Sequence, residues 1–450
     1  MRKVHIIGIG GSIMHALALH LQRKGYIVTG SDDRIEEPAR SHLARAGLLP
    51  SQEGWFPEKI QDDIDFAIAG MHARPDNPEL LRAQALGLPI HDMPTYVAQA
   101  IRQKHRIVVA GSHGKTTTTA LLIHAFQKLG IPADWLVGAR TQGIDTTLSL
   151  SEAPTCILEG DEYPASPWNP QPKAAVYRPH WLILTGIAWD HANVYPTPER
   201  YLQVFEHILQ TLPKGGICFY NSADALVKNI VTKHLHPGWH YLIPYQELPF
   251  FRRGTTWFVR LGRRVVPVRF WGRHNVLNAA AVWRLLQEFY VDDRAFAEIL
   301  SSFVLPERRG EVWYNSDRLV IVRDFAHAPS KVEAALKALR ETFPNRTLLV
   351  VLELHTYSSL LPHYALQYRR ALRYAHHKWL YAEKEIAAEK GANLAALRKA
   401  LSGSYRWFFD SSSLIQALRE TLSNFSGVVA LLSSGTLGNL TLKDLSLPSS

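Results

Sequence analysis

Short apolar runs alternate with amphipathic stretches along almost the whole chain, and three of these pairs are joined by turns rich in glycine or polar residues. Residues 4–9 predict a strand, Gly10, Gly11 and Ser12 a turn, and the spacing up to about Lys24 a helix. Residues 106–110 predict a strand, 111–115 a turn, and the stretch through about Lys128 a helix that Gly130 and Pro132 stop. Residues 318–322, 324–329 and 330–340 predict a third strand, turn and helix. Further apolar strands are predicted at 65–69, 155–158, 181–184, 217–220, 347–352 and 428–432. Runs that are apolar at every position are buried on both faces, as in parallel sheets flanked by helices. The stretch 236–272 differs. It is richer in Pro, Gly, Trp and Arg, and its alternating pieces 256–261 and 265–270 predict a small antiparallel sheet within the middle domain. With linkers placed near 100–105 and 305–312, the pattern predicts three α/β domains, 1–103, 104–308 and 309–450.

Composition narrows the class. Hydrophobic residues are 46% of the 450 and charged residues 20%, the balance of a soluble globular protein. No stretch of about 18 apolar residues occurs, so no membrane span is expected, and glycines 8, 10 and 11 break the first apolar run, so it is no signal-peptide core. Two distant cysteines, Cys156 and Cys218, fit a reducing compartment, and a cytoplasmic location is expected. The net charge is +10, with its densest patch around Arg369, Arg370, Arg373, His376, His377 and Lys378 on a helix-like segment. That patch reads as a solvated helix face, so no nucleic-acid partner is expected; spread positive charge also suits a protein that handles nucleotides.

The turn Gly111-Ser112-His113-Gly114-Lys115-Thr116-Thr117 follows a strand and opens a helix. Glycines let backbone N–H groups curl around phosphate oxygens, and the helix N-terminus adds a positive dipole end. Lys115 can reach terminal phosphates and the Thr116 hydroxyl can hold Mg²⁺. Glu159 and the acidic turn after it close the strand 155–158, where a carboxylate suits Mg²⁺. Asp190-His191 follows the strand 181–184. Asn275 and Asn278 open a helical pattern, and their amides suit the edge of adenine as well as a helix cap. The first glycine turn, with Gly30-Ser31-Asp32-Asp33 ending the next strand, also fits a dinucleotide fingerprint, so NAD binding is a rival reading.

The run Gly111 to Thr118 resembles the shortened phosphate loop of the Mur ligases and their folylpolyglutamate synthetase relatives. The Glu159-Gly160-Asp161-Glu162 turn, the Asp190-His191 pair, the Gly272–Ala279 run, the Arg308-Arg309 pair and Asp324-Phe325-Ala326-His327-Ala328-Pro329 resemble that family's further motifs, in order. The resemblance implies a Rossmann-like N-terminal domain for a UDP-sugar, a central P-loop ATPase domain and a Rossmann-like acceptor domain. It implies ATP and Mg²⁺ as cofactors, with the nucleotide held by Gly111, His113, Gly114, Lys115, Thr116, Thr117, Asn275, Asn278 and Asp324. Thr116, Glu159 and His191 would hold the metal, and Lys115, Glu159, His191 and Arg309 would be catalytic. The sequence departs from the family at Gly186 and Ala188, where Asn and Glu are usual.

No lysine stands between His191 and Pro213, so the carbamylated lysine of many family members has no counterpart. That favours the branch acting on UDP-N-acetylmuramate itself. Gly10, Gly11, Ser12, Ser31, Asp32, His72 and Arg74 match that branch and would bind the sugar nucleotide. His327, His355 and Ser359 would face the acceptor. Tyr177-Arg178-Pro179, Val351-Leu352-Glu353 and the run 433–438 resemble the members that add the tripeptide L-Ala-γ-D-Glu-meso-diaminopimelate in peptidoglycan recycling. L-alanine is the alternative acceptor, and a catalytically weak sensor of UDP-muropeptides is the alternative of another class.

Overall fold

The structure, a computed structural model, describes residues 2–71, 73–141, 143–445 and 447. The chain forms two compact units, Met1–Gly186 with Gln203–Tyr245, and Ile187–Leu202 with Gln246–Ser450.

In the first unit, β1 (Lys3–Ile7), β2 (Ile27–Ser31), β3 (Phe66–Ala69) and β4 (Ile90–Asp92) form a parallel sheet in the order β2-β1-β3-β4. The second sheet takes β5 (His105–Ala110), β6 (Ala133–Leu136), β7 (Leu148–Ser149) and β8 (Thr155–Glu159). A hairpin, β9 (Pro164–Ser166) with β10 (Asn169–Pro172), follows. Then β11 (Trp181–Leu184), β12 (Ile217–Asn221) and β13 (Tyr241–Tyr245) complete seven strands in the order β13-β12-β11-β5-β8-β6-β7. Every pairing in it is parallel except β6 with β7. The sheet is therefore doubly wound, and the strand order reverses beside β5, so the ends of β5, β8 and β11 face one crevice, where open α/β sheets bind ligands.

In the second unit, β14 (Phe250–Arg253), β15 (Thr256–Leu261) and β16 (Arg264–Val268) form the antiparallel sheet expected from the alternating pieces. It joins the C-terminal half through the Trp257 indole, which donates to the Thr342 hydroxyl at 3.0 Å. The last sheet has β17 (Glu311–Asn315), β18 (Leu319–Asp324), β19 (Leu348–Glu353), β20 (His377–Tyr381), β21 (Arg406–Phe408) and β22 (Gly427–Leu432). Their order is β17-β18-β22-β19-β20-β21, parallel except for β17. All six residues of β19 and of β22 are buried. Leu348, Val350 and Leu352 enter one apolar cluster while Leu349 and Val351 enter another. Alternate side chains thus feed a core on each face, as the unbroken apolar run required.

The basic segment departs from expectation. Tyr368–Ala371 is helical, and Leu372–Tyr374 is a short 3₁₀ turn, but His377 and Lys378 begin β20. Trp379, Leu380 and Tyr381 behind them are buried and apolar, and a strand slot beside β19 outweighs the helical preference of the charged residues. Among the described residues, no helix is long and apolar enough to cross a membrane.

Candidate active site

The phosphate loop leaves β5 and opens the helix Lys115–Lys128. Its backbone is fixed from the adjacent strand β11. Ser112 N–H donates to the Gly186 carbonyl at 2.8 Å, and the Thr185 hydroxyl reaches the carbonyls of His113 at 2.5 Å and Ala110 at 3.1 Å. Asn221, at the end of β12, donates to the Thr185 carbonyl at 3.1 Å and extends the clamp. Gly111 has φ +134, and a side chain there would run into the Thr185 hydroxyl. Glycine is therefore required by both conformation and space. Gly114 turns into the helix at φ +73.

Lys115 Nζ lies 2.6 Å from the Gly111 carbonyl, 2.5 Å from the buried Glu162 carboxylate and 3.7 Å from Asp161. Burial alone would push the ammonium's pKa down; the Glu162 and Asp161 carboxylates outweigh it and hold the pKa above its ordinary value. Asp161 also pairs with Lys173 at 3.2 Å. Lys173 arrives because the short helix Lys173–Val176 bonds back to the acidic turn, through Lys173 N–H to the Tyr163 carbonyl and Ala174 N–H to that of Asp161, each at 3.1 Å. The Thr116 hydroxyl donates to Glu159 at 2.7 Å, and Gly138 N–H donates to the other Glu159 oxygen at 2.6 Å. A hydroxyl and a carboxylate oxygen at one point, beside a phosphate loop, are the hard donors Mg²⁺ takes, so these residues fit the metal.

The first glycine turn is fixed by Gly8 and Ile9 N–H groups on the Ser31 carbonyl, at 2.8 and 3.1 Å, and by Gly10 N–H on Asp32 at 2.8 Å. Burial pushes the Asp32 carboxyl up; the Gly10 N–H opposes this and the neighbouring Asp33 adds to it, leaving the pKa at about 6. The Ser12 carbonyl accepts the Thr147 hydroxyl at 2.9 Å, which ties the turn to the seven-stranded sheet. Gly11 is part-buried and Arg74 is exposed. His72 lies outside the described residues.

In the second unit, the Asp190 carboxylate accepts Lys331 Nζ at 3.0 Å, the Tyr364 hydroxyl at 3.3 Å and His191 N–H at 2.8 Å. Burial, the largest single influence, would raise its pKa; Lys331, His191 and His327 together outweigh it and hold the carboxyl well below the usual carboxylate range. His327 donates from Nδ1 to the Phe325 carbonyl at 3.0 Å, and burial, with Lys331 behind it, drops its pKa to about 3. Asp324 accepts Gly310 N–H at 2.6 Å and Ala326 N–H at 2.7 Å, so it clamps the strand entering the last sheet. Arg309 lies over the Phe325 ring at 4.4 Å, while Arg308 donates to the carbonyls of Ser433 and Gly435. Asn275 donates to the Trp271 carbonyl at 2.9 Å and accepts from Asn278 at 3.3 Å. Ser359 is buried in a capping box with Thr356 at the head of the helix Tyr357–Leu360. His355 lies 3.7 Å from the buried Glu353 and 3.4 Å from the Ser434 hydroxyl.

Comparison with known proteins matches residues 3–105 to the profile "Mur ligase family, catalytic domain" and residues 109–286 to "Mur ligase middle domain". UDP-N-acetylmuramate–L-alanine ligase of Sulfurihydrogenibium sp. (strain YO3AOP1) is 30% identical over 377 residues, 80% of this chain and 78% of the relative. The chain belongs to the Mur ligase family. It is an ATP-dependent amide ligase of the kind that builds peptidoglycan. The same fold is found in the murein peptide ligase of Psychrobacter arcticus 273-4, with a TM-score of 0.74 at 21% identity over 100% of both chains. It is found again in UDP-N-acetylmuramate-alanine ligase of Thermotoga maritima, at 0.73 and 22% over 97% of this chain and 96% of that one. The UDP-N-acetylmuramate:L-alanyl-γ-D-glutamyl-meso-diaminopimelate ligase of Neisseria meningitides is 25% identical over 68% of this chain and 100% of that chain, with a TM-score of 0.62.

Within this Mur ligase, Lys115, Thr116 and Glu159 are brought together, and Gly10, Ser31 and Asp32 share one turn. His191, His327, Asp324 and His355 stand in the second unit. Asn275 and Ser359 spend their side-chain bonds on their own helix starts. Sequence reasoning missed Thr185, Lys173, Lys331 and Tyr364. Each acts through a partner at least 12 residues away, and only the strand pairing β5–β11 or the packing of helix on turn reveals it.

Proposed function

We propose that this ligase joins UDP-N-acetylmuramate to the tripeptide L-Ala-γ-D-Glu-meso-diaminopimelate in the cytoplasm, as a step of peptidoglycan recycling. The observation that carries the reading of ATP chemistry is that, at the ends of β5 and β8, the Thr116 hydroxyl meets Glu159 while Lys115 beside it meets Glu162 of the same acidic turn. ATP phosphorylates the muramoyl carboxylate, the acceptor amine attacks the acyl carbon, and phosphate leaves. Thr116, Glu159 and His191 would hold Mg²⁺, which supplies charge stabilisation at the transferred phosphoryl group. Lys115 leaves Glu162 for the phosphates, and Arg309 adds positive charge; both act by position and electrostatics. The loop backbone from Gly111 to Thr117 wraps the phosphates, and Asn275, Asn278 and Asp324 border the nucleotide. Gly10, Gly11, Ser12, Ser31, Asp32, His72 and Arg74 would take the UDP-sugar. His327, His355 and Ser359 would border the acceptor.

The tripeptide is supported by the 433–438 run, which Glu353 and Arg308 hold at the end of β22, and by likeness to the Neisseria enzyme. L-alanine is the second reading, favoured by the naming of the curated relative at 30% identity. Incubation with ATP, Mg²⁺, UDP-N-acetylmuramate and either acceptor, read by product mass, separates them. The expected product carries the tripeptide less one water. A product only with L-alanine reassigns the acceptor, and phosphate release without any new amide contradicts both readings.

A further inference from the structure

The residues Ile187–Leu202, which carry His191, belong to the second compact unit. Within that unit a set of polar and aromatic contacts holds them. Ala192 N–H donates to the Ser358 hydroxyl at 2.8 Å. Tyr364 places its hydroxyl 3.3 Å from Asp190, and its ring packs edge-on to Trp189 at 5.4 Å. Trp189 stacks on His363 at 6.5 Å. Lys331, in the first turn of the helix Pro329–Thr342, reaches Asp190 at 3.0 Å. Of these, Lys331 is the contact with full positive charge, and the carboxylate it meets has only 5% of its side chain exposed.

Asp190 is fully committed: one oxygen accepts His191 N–H and Tyr364, and the other accepts Lys331. The His191 bond matters because His191 sits at φ +55, in the left-handed region that few residues other than glycine adopt, and Asp190 accepts the N–H of that turn. Without the Lys331 ammonium on its other oxygen, the buried carboxylate is no longer held on that side and can turn towards water. That movement loosens the bond that holds the His191 turn. We infer that Lys331 is a positioning residue of the ligase reaction: through its ion pair with Asp190 it fixes the backbone turn that aims the His191 imidazole. The inference rests on the proposed role of His191 at the phosphoryl-transfer site. Tyr368 donates to the His327 carbonyl on the same helix–turn packing, and Lys331 supplies the cation to Asp190.

The test uses the full chain as parent, Lys331→Met, Lys331→Arg, Asp190→Asn and the double variant Lys331→Met/Asp190→Asn. Ligation with ATP, Mg²⁺, UDP-N-acetylmuramate and the tripeptide L-Ala-γ-D-Glu-meso-diaminopimelate is followed alongside the ¹³C-histidine NMR spectrum, with the His191 signal assigned by its loss in His191→Gln. Lys331→Met is expected to lower kcat at least about tenfold with KM for the acceptor within about twofold, and to move the His191 signal while those of His5 and His105 stay. Lys331→Arg is expected to restore most of kcat. The double variant is expected to be no worse than the worse single variant, because the two groups act as one. A folded Lys331→Met with parental kcat and an unmoved His191 signal overturns the inference, as do fully additive losses. If the parent forms no amide, the proposed function fails, and the NMR arm still decides whether Lys331 sets the His191 environment.

Discussion

Replacing Lys115 with Met separates what this lysine does for folding from what it does for catalysis. Its side chain is 12% exposed and pairs at 2.5 Å with Glu162, whose side chain is fully buried. Met keeps the length of the side chain and removes the charge, so the buried Glu162 carboxylate loses its ion pair with Lys115. Breaking a buried pair from one side costs about 3 kcal/mol or somewhat more. For a unit of this size that is a fall of about 6–12 °C in the unfolding transition of the first unit, taking about 2–4 °C per kcal/mol. Converting Glu162 to Gln in the same protein removes the buried charge, so Lys115→Met/Glu162→Gln is expected to recover most of the lost Tm. It is not expected to recover ATP binding, because the phosphates still lack their lysine. Calorimetry and nucleotide titration on parent, both single variants and the double variant give the two readouts. A double variant whose destabilisation equals the sum of the single effects would refute the buried-pair reasoning, and restored ATP binding would refute the phosphate role of Lys115.

Gly111→Ala puts a methyl group against Thr185 and 3.0 Å from the Gly186 backbone, so ATP affinity in titration calorimetry is expected to fall more than about tenfold, about 1.4 kcal/mol; unchanged affinity would mean that the loop is not held as described. Glu159→Gln keeps the Thr116 and Gly138 contacts in shape but removes the charge, and is expected to raise the Mg²⁺ concentration for half-maximal activity about 10–100-fold. His105 is lowered to about 4 by burial, then by His180 and Arg106. The unfolded chain therefore binds a proton below its usual value of 6.5 that the folded chain does not, so stability is lost as pH falls from 6.5 towards 4. His105→Gln is expected to flatten that slope in thermal scans across the same window.

What the sequence disclosed depended on how local each feature is. A phosphate loop is contiguous, because backbone N–H groups wrap one ligand, so Gly111 to Thr117 was readable in a single run. The strands that are apolar at every position, β19 and β22 above all, were readable because burial on both faces leaves no polar alternation. The thread from Lys331 to Asp190 was not readable, since two ordinary charged residues 141 positions apart carry no pattern until a helix is laid against a turn. Thr185 was hidden in the same way: it looks like one more β-branched strand residue, yet its hydroxyl clamps the loop of the next strand. The basic segment was misjudged beyond Arg373 because charge and helical propensity are weak against a vacant slot beside β19. Asn275 fits both readings that its sequence allows: its amide suits the edge of a base, and in the structure it bonds its own helix start.

Transfer of a carboxylate oxygen to phosphate is the most direct reading of the chemistry assigned to Lys115, Thr116 and Glu159. UDP-N-acetylmuramate labelled with ¹⁸O in its lactyl carboxylate, turned over with ATP, Mg²⁺ and the acceptor, should release inorganic phosphate that carries one ¹⁸O, visible by ³¹P NMR. Amide product accompanied by wholly unlabelled phosphate would contradict activation of that carboxylate by phosphorylation.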